Sequence, residues 1–135
     1  MAETWTLAVD SSALMAILKA EPEAAALLDA LSSGGAKAIS TATLLEAQIV
    51  ACGQLGDGGQ AELDLLLHQA GILAVPFDAL QLHWALKGWR QFGKGRHQAG
   101  LNLGDCFSYG LAMTLNLPLL FKGEDFRSTD VKVAL

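Results

Sequence analysis

Short apolar segments alternate with longer amphipathic segments along most of this chain. The short segments are rich in Val, Ile, Leu and Ala, a composition that predicts buried strands. The longer segments place apolar residues at helical spacing behind Ser, Thr, Asp, Asn or Pro, which favour helix starts. Strands are predicted over Thr4–Val9, Lys37–Ser40, Ile72–Phe77 and Pro118–Phe121, with Val131–Ala134 as a candidate fifth strand. Helices are predicted over Ser11–Leu18, Pro22–Leu31, Thr43–Cys52, Gln60–Ala70, Asp78–Phe92 and Leu103–Leu115.

The order of these elements indicates the fold class. Strands that alternate with one or two helices favour a parallel sheet that is covered by helices on both faces. The chain contains no internal repeat, low-complexity tract or linker, and its 135 residues suit one domain. We therefore expect a single α/β domain over residues 1–135, with a central parallel sheet of four to five strands.

The composition is apolar for a protein of this size. Hydrophobic residues make up 52% of the chain, charged residues only 17%, and the mean hydropathy is +0.35. Such a chain either buries its strands on both faces or keeps an apolar surface for a partner. No segment predicts a membrane span, and the N-terminus lacks the features of a signal peptide, so we expect a cytoplasmic protein without membrane contact. Cys52 and Cys106 fall in predicted helices and suit buried free thiols.

Charge is distributed unevenly along the chain, whose net charge is −5. Residues 1–86 carry two basic and ten acidic side chains, and residues 87–135 carry seven basic and four acidic ones. The basic side chains of the second part either frame a path for phosphate groups or are solvated on helix faces. They are Lys87, Arg90, Lys94, Arg96, Lys122, Arg127 and Lys132.

Four acidic residues lie where separate apolar segments end or helices begin. They are Asp10, Glu46, Asp105 and Asp125. Because ligands of α/β sheets bind at the carboxyl ends of the strands, these positions are expected to meet at one edge of the sheet. Carboxylates gathered in this way repel one another unless a cation joins them. The pattern therefore predicts a site for Mg²⁺, which prefers oxygen ligands and commonly needs only one or two direct carboxylates.

Each of these acids also has a purely structural interpretation. Thr43 and Glu46 fit a capping box, and Asp105 lies at the third helical position behind Asn102, where it favours the helix dipole. Asp10 is a candidate cap of the first helix, and Asp125 a candidate turn terminator. Such caps are free to point anywhere on the surface, whereas the predicted order of strands and helices brings all four acids to one edge.

A metal site of this kind suits phosphodiester hydrolysis, because a divalent ion orients a water molecule, lowers its pKa and neutralises the developing charge. We expect Asp10 and Asp105 to be the closest ligands, with Glu46 and Asp125 acting through water or on a second ion. The candidate substrate contacts are Ser11, beside Asp10, and Lys94, Arg96 and His97 in a basic, Gly-rich loop.

Four stretches of the chain carry a resemblance to a known family. They are Val9–Ala13, Ser40–Glu46, Gly95–Tyr109 and Leu119–Phe126, the last followed by Thr129 and Asp130. In this order and over nearly the whole chain, they resemble the PIN-domain ribonucleases, specifically the VapC-type toxins of toxin–antitoxin pairs. The stretch from Asn102 to Tyr109 and the turn Phe-Lys-Gly-Glu-Asp-Phe are the most specific parts.

The resemblance implies a Rossmann-like α/β/α PIN domain with Mg²⁺- or Mn²⁺-dependent endoribonuclease activity. It maps the family's acidic quartet onto Asp10, Glu46, Asp105 and Asp125. It also implies RNA as the substrate, a homodimer, and inhibition by a cognate antitoxin that lies in an apolar groove near the active site. Asp130 is either a fifth acid of the site or a structural cap, and we favour the cap.

Two other interpretations compete with the metal-dependent ribonuclease. One is a catalytically silent PIN-like module that complexes a DNA-binding regulatory partner, although such a module has no need of all four acids. The other is a phosphoreceiver domain, which requires paired acids after the first strand. Here Asp10 is followed by Ser11, which disfavours it.

Overall fold

The computed structural model describes residues 4–135. Met1–Glu3, which begin the N-terminal segment expected to lack the features of a signal peptide, lie outside the described residues. Four strands alternate with six helices, followed by a short 3-10 turn. The elements are β1 (Trp5–Val9), α1 (Ser11–Leu18), α2 (Ala24–Leu31), β2 (Ala36–Ser40), α3 (Thr41–Leu55), α4 (Gly59–Ala70), β3 (Ile72–Val75), α5 (Ala79–Phe92), α6 (Leu103–Leu115), β4 (Leu119–Leu120) and the 3-10 turn Asp125–Ser128.

The sheet is parallel throughout, and its strand order is β3-β2-β1-β4. The sheet has four strands within the described residues, in line with the expected four to five, and the candidate fifth strand Val131–Ala134 does not form. Only Val133 forms a bridge, opposite Leu119. The N–H of Leu119 donates to the Lys132 carbonyl at 2.8 Å, and its carbonyl accepts from the Ala134 N–H at 3.1 Å. Because β4 is only two residues long, its pairing with the tail stays a single bridge and does not extend into a ladder.

Helices bury both faces of this sheet. Successive strand residues point to opposite faces, so Val9 and Ile39 join one apolar cluster while Ala8 and Ala38 join the other. The first cluster is completed by residues of α1, α2, α3 and α4, and the second by residues of α5 and α6. This arrangement confirms the α/β/α fold and accounts for most of the high hydrophobic content.

The structure decides how three of the helices are capped. The hydroxyl of Ser40 accepts from the Ala42 N–H and caps α3, so Thr43 lies inside the helix and the predicted capping box with Glu46 was wrong. Asp10 caps α1, which confirms its interpretation as a candidate cap of the first helix. At α6 Asp105 lies at the third helical position behind Asn102, as expected, and the two side chains also form a capping box.

The two cysteines lie in different environments. Cys106 is buried, as expected, and burial together with the charge of Asp105 raises the pKa of its thiol to about 11. Cys52 is exposed, so the expectation that both thiols are buried was wrong. Over the described part of the chain, no helix combines the length and the apolar character needed to cross a membrane.

Helices α5 and α6 approach closely at Gly88. A Cβ atom at this position would collide with the ring of Tyr109, which is buried and donates its hydroxyl to Asp130 at 2.7 Å. Burial, followed by the hydrogen bond to Asp130, raises the pKa of the Tyr109 hydroxyl. Only a residue without a side chain permits this contact between the two helices.

We expect Gly88→Ala to lower the free energy of unfolding by about 1–2 kcal/mol, because the overpacked ring outweighs the gain in helix propensity. The matched control is Gly53→Ala in α3, where nothing lies within 4 Å of the added methyl group. That control is expected to keep or raise stability by up to about 1 kcal/mol. Urea unfolding of both variants provides the measurement, and equal stabilities would contradict this account of the α5–α6 contact.

Candidate functional site

Asp10 and Asp125 follow β1 and β4, the two neighbouring strands at which the order of strand addition reverses. From β1 the chain builds outward through β2 to β3, and it then returns to place β4 on the other side of β1. In open parallel sheets the crevice at such a switch point, beyond the carboxyl ends of the strands, is the usual ligand site. Asp10 comes directly after β1, and Asp125 begins the 3-10 turn that follows β4.

The carboxylate of Asp10 is held inside the protein, and its residue is only 3% exposed. Its Oδ2 accepts from the Ser12 N–H at 3.0 Å, which caps α1. Its Oδ1 accepts from the hydroxyl of Ser108 on α6. Ser108 was not predicted as a site residue; it lies three residues after Asp105, so both side chains are on one side of the helix.

Glu46 reaches the crevice from the second turn of α3. Its Oε1 accepts from the hydroxyl of Ser11 at 2.9 Å. Its carboxylate also lies against Gly104, where a Cβ atom would collide with both carboxylate oxygens. Ser11 is therefore part of the acidic site, and in this structure it contacts Glu46.

Asp105 stands in the first turn of α6. Its Oδ2 accepts from the Asn102 N–H at 3.1 Å. Burial raises the pKa of its carboxyl group to about 6, and the charges of Asp10, Asp125 and Glu46 also raise it, against the hydrogen bond from Asn102. The three other predicted acids therefore all act on Asp105, which places the quartet in one electrostatic field.

Asp125 is exposed, and the turn before it is tied to the first helix. The Lys122 N–H donates to the hydroxyl of Ser12 at 3.0 Å, and the Lys122 ammonium pairs with Glu21 at 3.0 Å. Glu124 turns toward Arg127, whose Nε lies 3.7 Å from its Oε2. Asp125 is thus the acid that this turn contributes to the field at Asp105.

The donor set suits a hard divalent cation, because it consists of carboxylate oxygens whose mutual repulsion a cation relieves. Within residues 4–135, no three acidic, histidine or cysteine side chains lie close enough to hold one ion together. Mg²⁺ commonly takes one or two direct carboxylates and fills its other positions with water. The chemistry of these side chains therefore suits an ion of this kind, which takes some carboxylates directly and others through water.

Asp130 stands outside this group. Its carboxylate accepts from the Tyr109 hydroxyl, a contact that ties the C-terminal segment to α6. Asp130 therefore has a structural role, as favoured, although it acts as a partner of Tyr109 rather than as a helix cap.

The candidate substrate contacts Lys94, Arg96 and His97 lie in the loop between α5 and α6. The Lys94 side chain is exposed. The Arg96 guanidinium lies 4.9 Å from the centre of the Trp89 ring, and its Nε donates to the Arg90 carbonyl. The Nδ1 of His97 accepts from the Ala99 N–H at 2.9 Å. Three other basic residues of the predicted phosphate path bind within the chain, namely Lys122 to Glu21, Lys132 to Asn116 and Arg127 to the Leu135 carbonyl.

An apolar groove of about 340 Å³ lies between α5 and α6. Its lining includes Leu103 and Cys106, which lie on either side of Asp105 in the sequence. Leu103 at its rim is 72% exposed, and Trp89 is 39% exposed. The groove is lined by Phe77, Leu82, Ala85, Leu86, Trp89, Leu103, Cys106 and Phe107. Among the described residues, twelve large apolar side chains are exposed, and four of them line this groove, namely Leu82, Leu86, Trp89 and Leu103.

Comparison with known proteins matches nearly the whole chain. The family model described as PIN domain matches residues 7–132. The protein named Ribonuclease VapC of Mycolicibacterium smegmatis is 50% identical over 125 residues, which cover 93% of this chain and 97% of that protein.

Among solved structures, the VapC20 toxin of Mycobacterium tuberculosis, titled as cleaving the sarcin-ricin loop, aligns with a TM-score of 0.76 at 14% identity. The match covers 96% of this chain and 98% of that one. VapBC2 of Rickettsia felis, bound to a DNA fragment from its promoter, aligns with a TM-score of 0.74 at 16% identity and covers 96% of each chain. At these identities the likeness concerns the fold.

The raised pKa of Asp105 predicts a pH-dependent effect of Asp105→Asn on the metal-free protein. In the unfolded chain the pKa of this carboxyl group has its ordinary value of 3.8, and in the folded chain it is about 6. The folded state thus binds the proton more tightly, so the stability that Asp105 contributes is complete below pH 4 and is lost as the pH rises through 6.

Asparagine does not ionise, so the free energy of unfolding of Asp105→Asn does not carry this loss. The difference in unfolding free energy between the variant and the parent is therefore expected to shift in favour of the variant by about 1–2 kcal/mol between pH 4.5 and pH 7.5. Urea unfolding in the presence of EDTA at the two pH values measures this difference. A difference between the two proteins that does not change with pH would contradict the shared electrostatic field.

Proposed function

This chain belongs to the PIN domain family, among the VapC ribonucleases, and on that premise we propose that it is a metal-dependent endoribonuclease acting as the toxin of a toxin–antitoxin pair. The proposed substrate is single-stranded or looped RNA, and the reaction is hydrolysis of its phosphodiester bonds by water. The observation that carries the proposal is the convergence of Asp10, Glu46, Asp105 and Asp125 on one field at the switch point of the sheet.

The proposed cofactor is Mg²⁺, with Mn²⁺ as an alternative of the same ligand chemistry. Asp10 and Asp105 would hold the ion directly, and Glu46 and Asp125 would complete the charge balance through water. When bound, such an ion orients water, lowers its pKa and stabilises negative charge on a phosphoryl group. The oxygen-only donor set and the raised pKa of Asp105 support this choice.

The protein residues position the acids and the substrate. The Ser12 N–H and the Ser108 hydroxyl orient Asp10, and the Ser11 hydroxyl orients Glu46. The start of α6 also presents the positive end of a helix dipole, which favours ionised carboxylates and phosphate oxygens. In the proposal, the exposed Lys94 and Arg96 attract the RNA backbone, with His97 as a further contact in the same loop.

The proposed partners include a cognate antitoxin and a second copy of the chain. The groove between α5 and α6 is the proposed binding site for an apolar segment of the antitoxin. Its lining residues Leu82, Leu86 and Trp89 are exposed, so a partner can bury them. For the homodimer, exposed Leu45 and Ile49 on α3 offer additional apolar area. A toxin of this class acts where RNA and promoter DNA are present, so the proposal places the domain formed by residues 1–135 in the cytoplasm.

Asp10→Asn and Asp105→Asn are expected to reduce RNA cleavage by about two to four orders of magnitude. Each substitution removes a negative charge that binds the metal ion, and a bound ion stabilises the transition state by several kcal/mol. The matched control is Asp57→Asn, which alters an exposed acid in the loop between α3 and α4. The assay follows cleavage of a looped RNA with Mg²⁺, with Mn²⁺, and with EDTA.

The control is expected to cleave like the parent, and EDTA is expected to stop both. Undiminished cleavage by either site variant, or cleavage that survives EDTA, would remove the proposed mechanism. RNA that stays intact under every condition would favour the catalytically silent module.

Gly104→Ala is expected to leave the fold intact and lower cleavage by about 100-fold, since the new methyl group takes the place of the Glu46 carboxylate and displaces it by an ångström or more. The flexible end of Glu46 can move, so unfolding curves should match those of the parent. Gly53→Ala serves again as the control. Parent-level cleavage by folded Gly104→Ala protein would show that the position of Glu46 has no effect on the reaction.

A further inference from the structure

Two buried hydroxyl groups are connected to the carboxylate of Asp10 by hydrogen bonds. Thr43 belongs to α3 and Ser108 to α6, and both residues are 0% exposed. The Ser108 hydroxyl donates to Oδ1 of Asp10, and the hydroxyl oxygens of Thr43 and Ser108 are 3.3 Å apart. The three side chains come from three separate elements, namely the first turn of α3, the middle of α6 and the end of β1.

The direction of these hydrogen bonds follows from the number of protons available. An ionised carboxylate only accepts, so the single proton of the Ser108 hydroxyl is directed to Asp10. The Ser108 oxygen is then left as an acceptor, and Thr43 is the donor to it. The bonds therefore run from Thr43 to Ser108 to Asp10, and each donor in such a chain strengthens the next.

The chain of hydrogen bonds fixes both oxygens of one carboxylate. Oδ1 receives the Ser108 proton, and Oδ2 receives the Ser12 N–H at 3.0 Å. Each oxygen keeps a further lone pair, because a carboxylate oxygen accepts about two hydrogen bonds or ligands. Asp10 is thus held in one orientation while it retains the capacity to bind a cation.

We propose that Thr43 and Ser108 form a hydroxyl relay that positions Asp10 for binding a divalent cation. This inference rests on the proposed function and assigns two positioning residues to it. Neither hydroxyl contacts the cation. They act through Asp10 by keeping its carboxylate from rotating, and groups that orient a metal ligand in this way typically change metal affinity by about 10- to 100-fold when they are removed.

The test measures Mn²⁺ affinity rather than activity. Electron paramagnetic resonance detects free Mn²⁺ in solution, so titration of the parent and the variants gives dissociation constants directly. Ser108→Ala removes the donor to Asp10 and is expected to weaken Mn²⁺ binding about 10- to 100-fold. Thr43→Val keeps the shape of the side chain and the Ser108–Asp10 bond, and is expected to weaken binding about 3-fold, since only the cooperative contribution is lost.

The matched control is Thr114→Val. Thr114 also lies on α6, and its hydroxyl oxygen is buried without a hydrogen-bond partner in the described structure. Its removal is expected to leave Mn²⁺ affinity unchanged. Thermal unfolding without metal, recorded for all variants, separates a change in folding from a change in positioning.

The outcomes distinguish this inference from the proposed function. If the parent binds Mn²⁺, Asp10→Asn does not, and Ser108→Ala binds as tightly as the parent, the relay is overturned and the metal site stands. If Ser108→Ala binds Mn²⁺ more weakly while Thr43→Val binds it as tightly as the parent, the role of Thr43 in the relay is overturned. If the parent itself takes up no Mn²⁺, the metal site of the proposed function fails and the relay fails with it.

Discussion

Repulsion among four carboxylates at one edge of a parallel sheet is the constraint on which the rest of this site depends. A folded chain does not keep such charges together without a compensating force, and here the compensation within the protein is partial. Hydroxyls and backbone N–H groups hold Asp10, Glu46 and Asp105 in place. The pKa of Asp105 is nevertheless raised to about 6, first by burial and in addition by the charges of Asp10, Asp125 and Glu46. In the proposed function, a divalent cation relieves the repulsion that remains.

The first half of α6 organises most of this arrangement. Asn102 begins the helix and bonds Asp105, Gly104 leaves room for the Glu46 carboxylate, and Ser108 orients Asp10. One helical segment therefore positions acids that arrive from β1, from α3 and from itself. The same segment turns its apolar residues toward the groove beside α5, so the acidic site and an apolar surface adjoin along a single helix.

The sequence was sufficient where local chemistry decides the outcome. Helices Ser11–Leu18 and Leu103–Leu115 have the predicted bounds, and the alternation of strands and helices gave the parallel sheet. It was insufficient where two local signals compete: Ser40 and Thr43 both suit a helix cap, and only the end of β2 decides that Ser40 takes the role. Contacts such as Ser108 with Asp10 join residues 98 positions apart, so no local pattern reveals them. The partners of Lys122 and Arg127 depend in the same way on packing.

The position of a bound ion tests the central claim most directly. Diffraction from crystals grown with Mn²⁺, recorded at a wavelength where manganese scatters anomalously, locates the ion without reference to activity. The account predicts an anomalous peak at the switch point of the sheet, within about 2.0–2.3 Å of an oxygen of Asp10 and an oxygen of Asp105. It also predicts Glu46 and Asp125 at water-bridged distance from the ion. Ordered Mn²⁺ elsewhere on the chain, with none beside these acids, would contradict it.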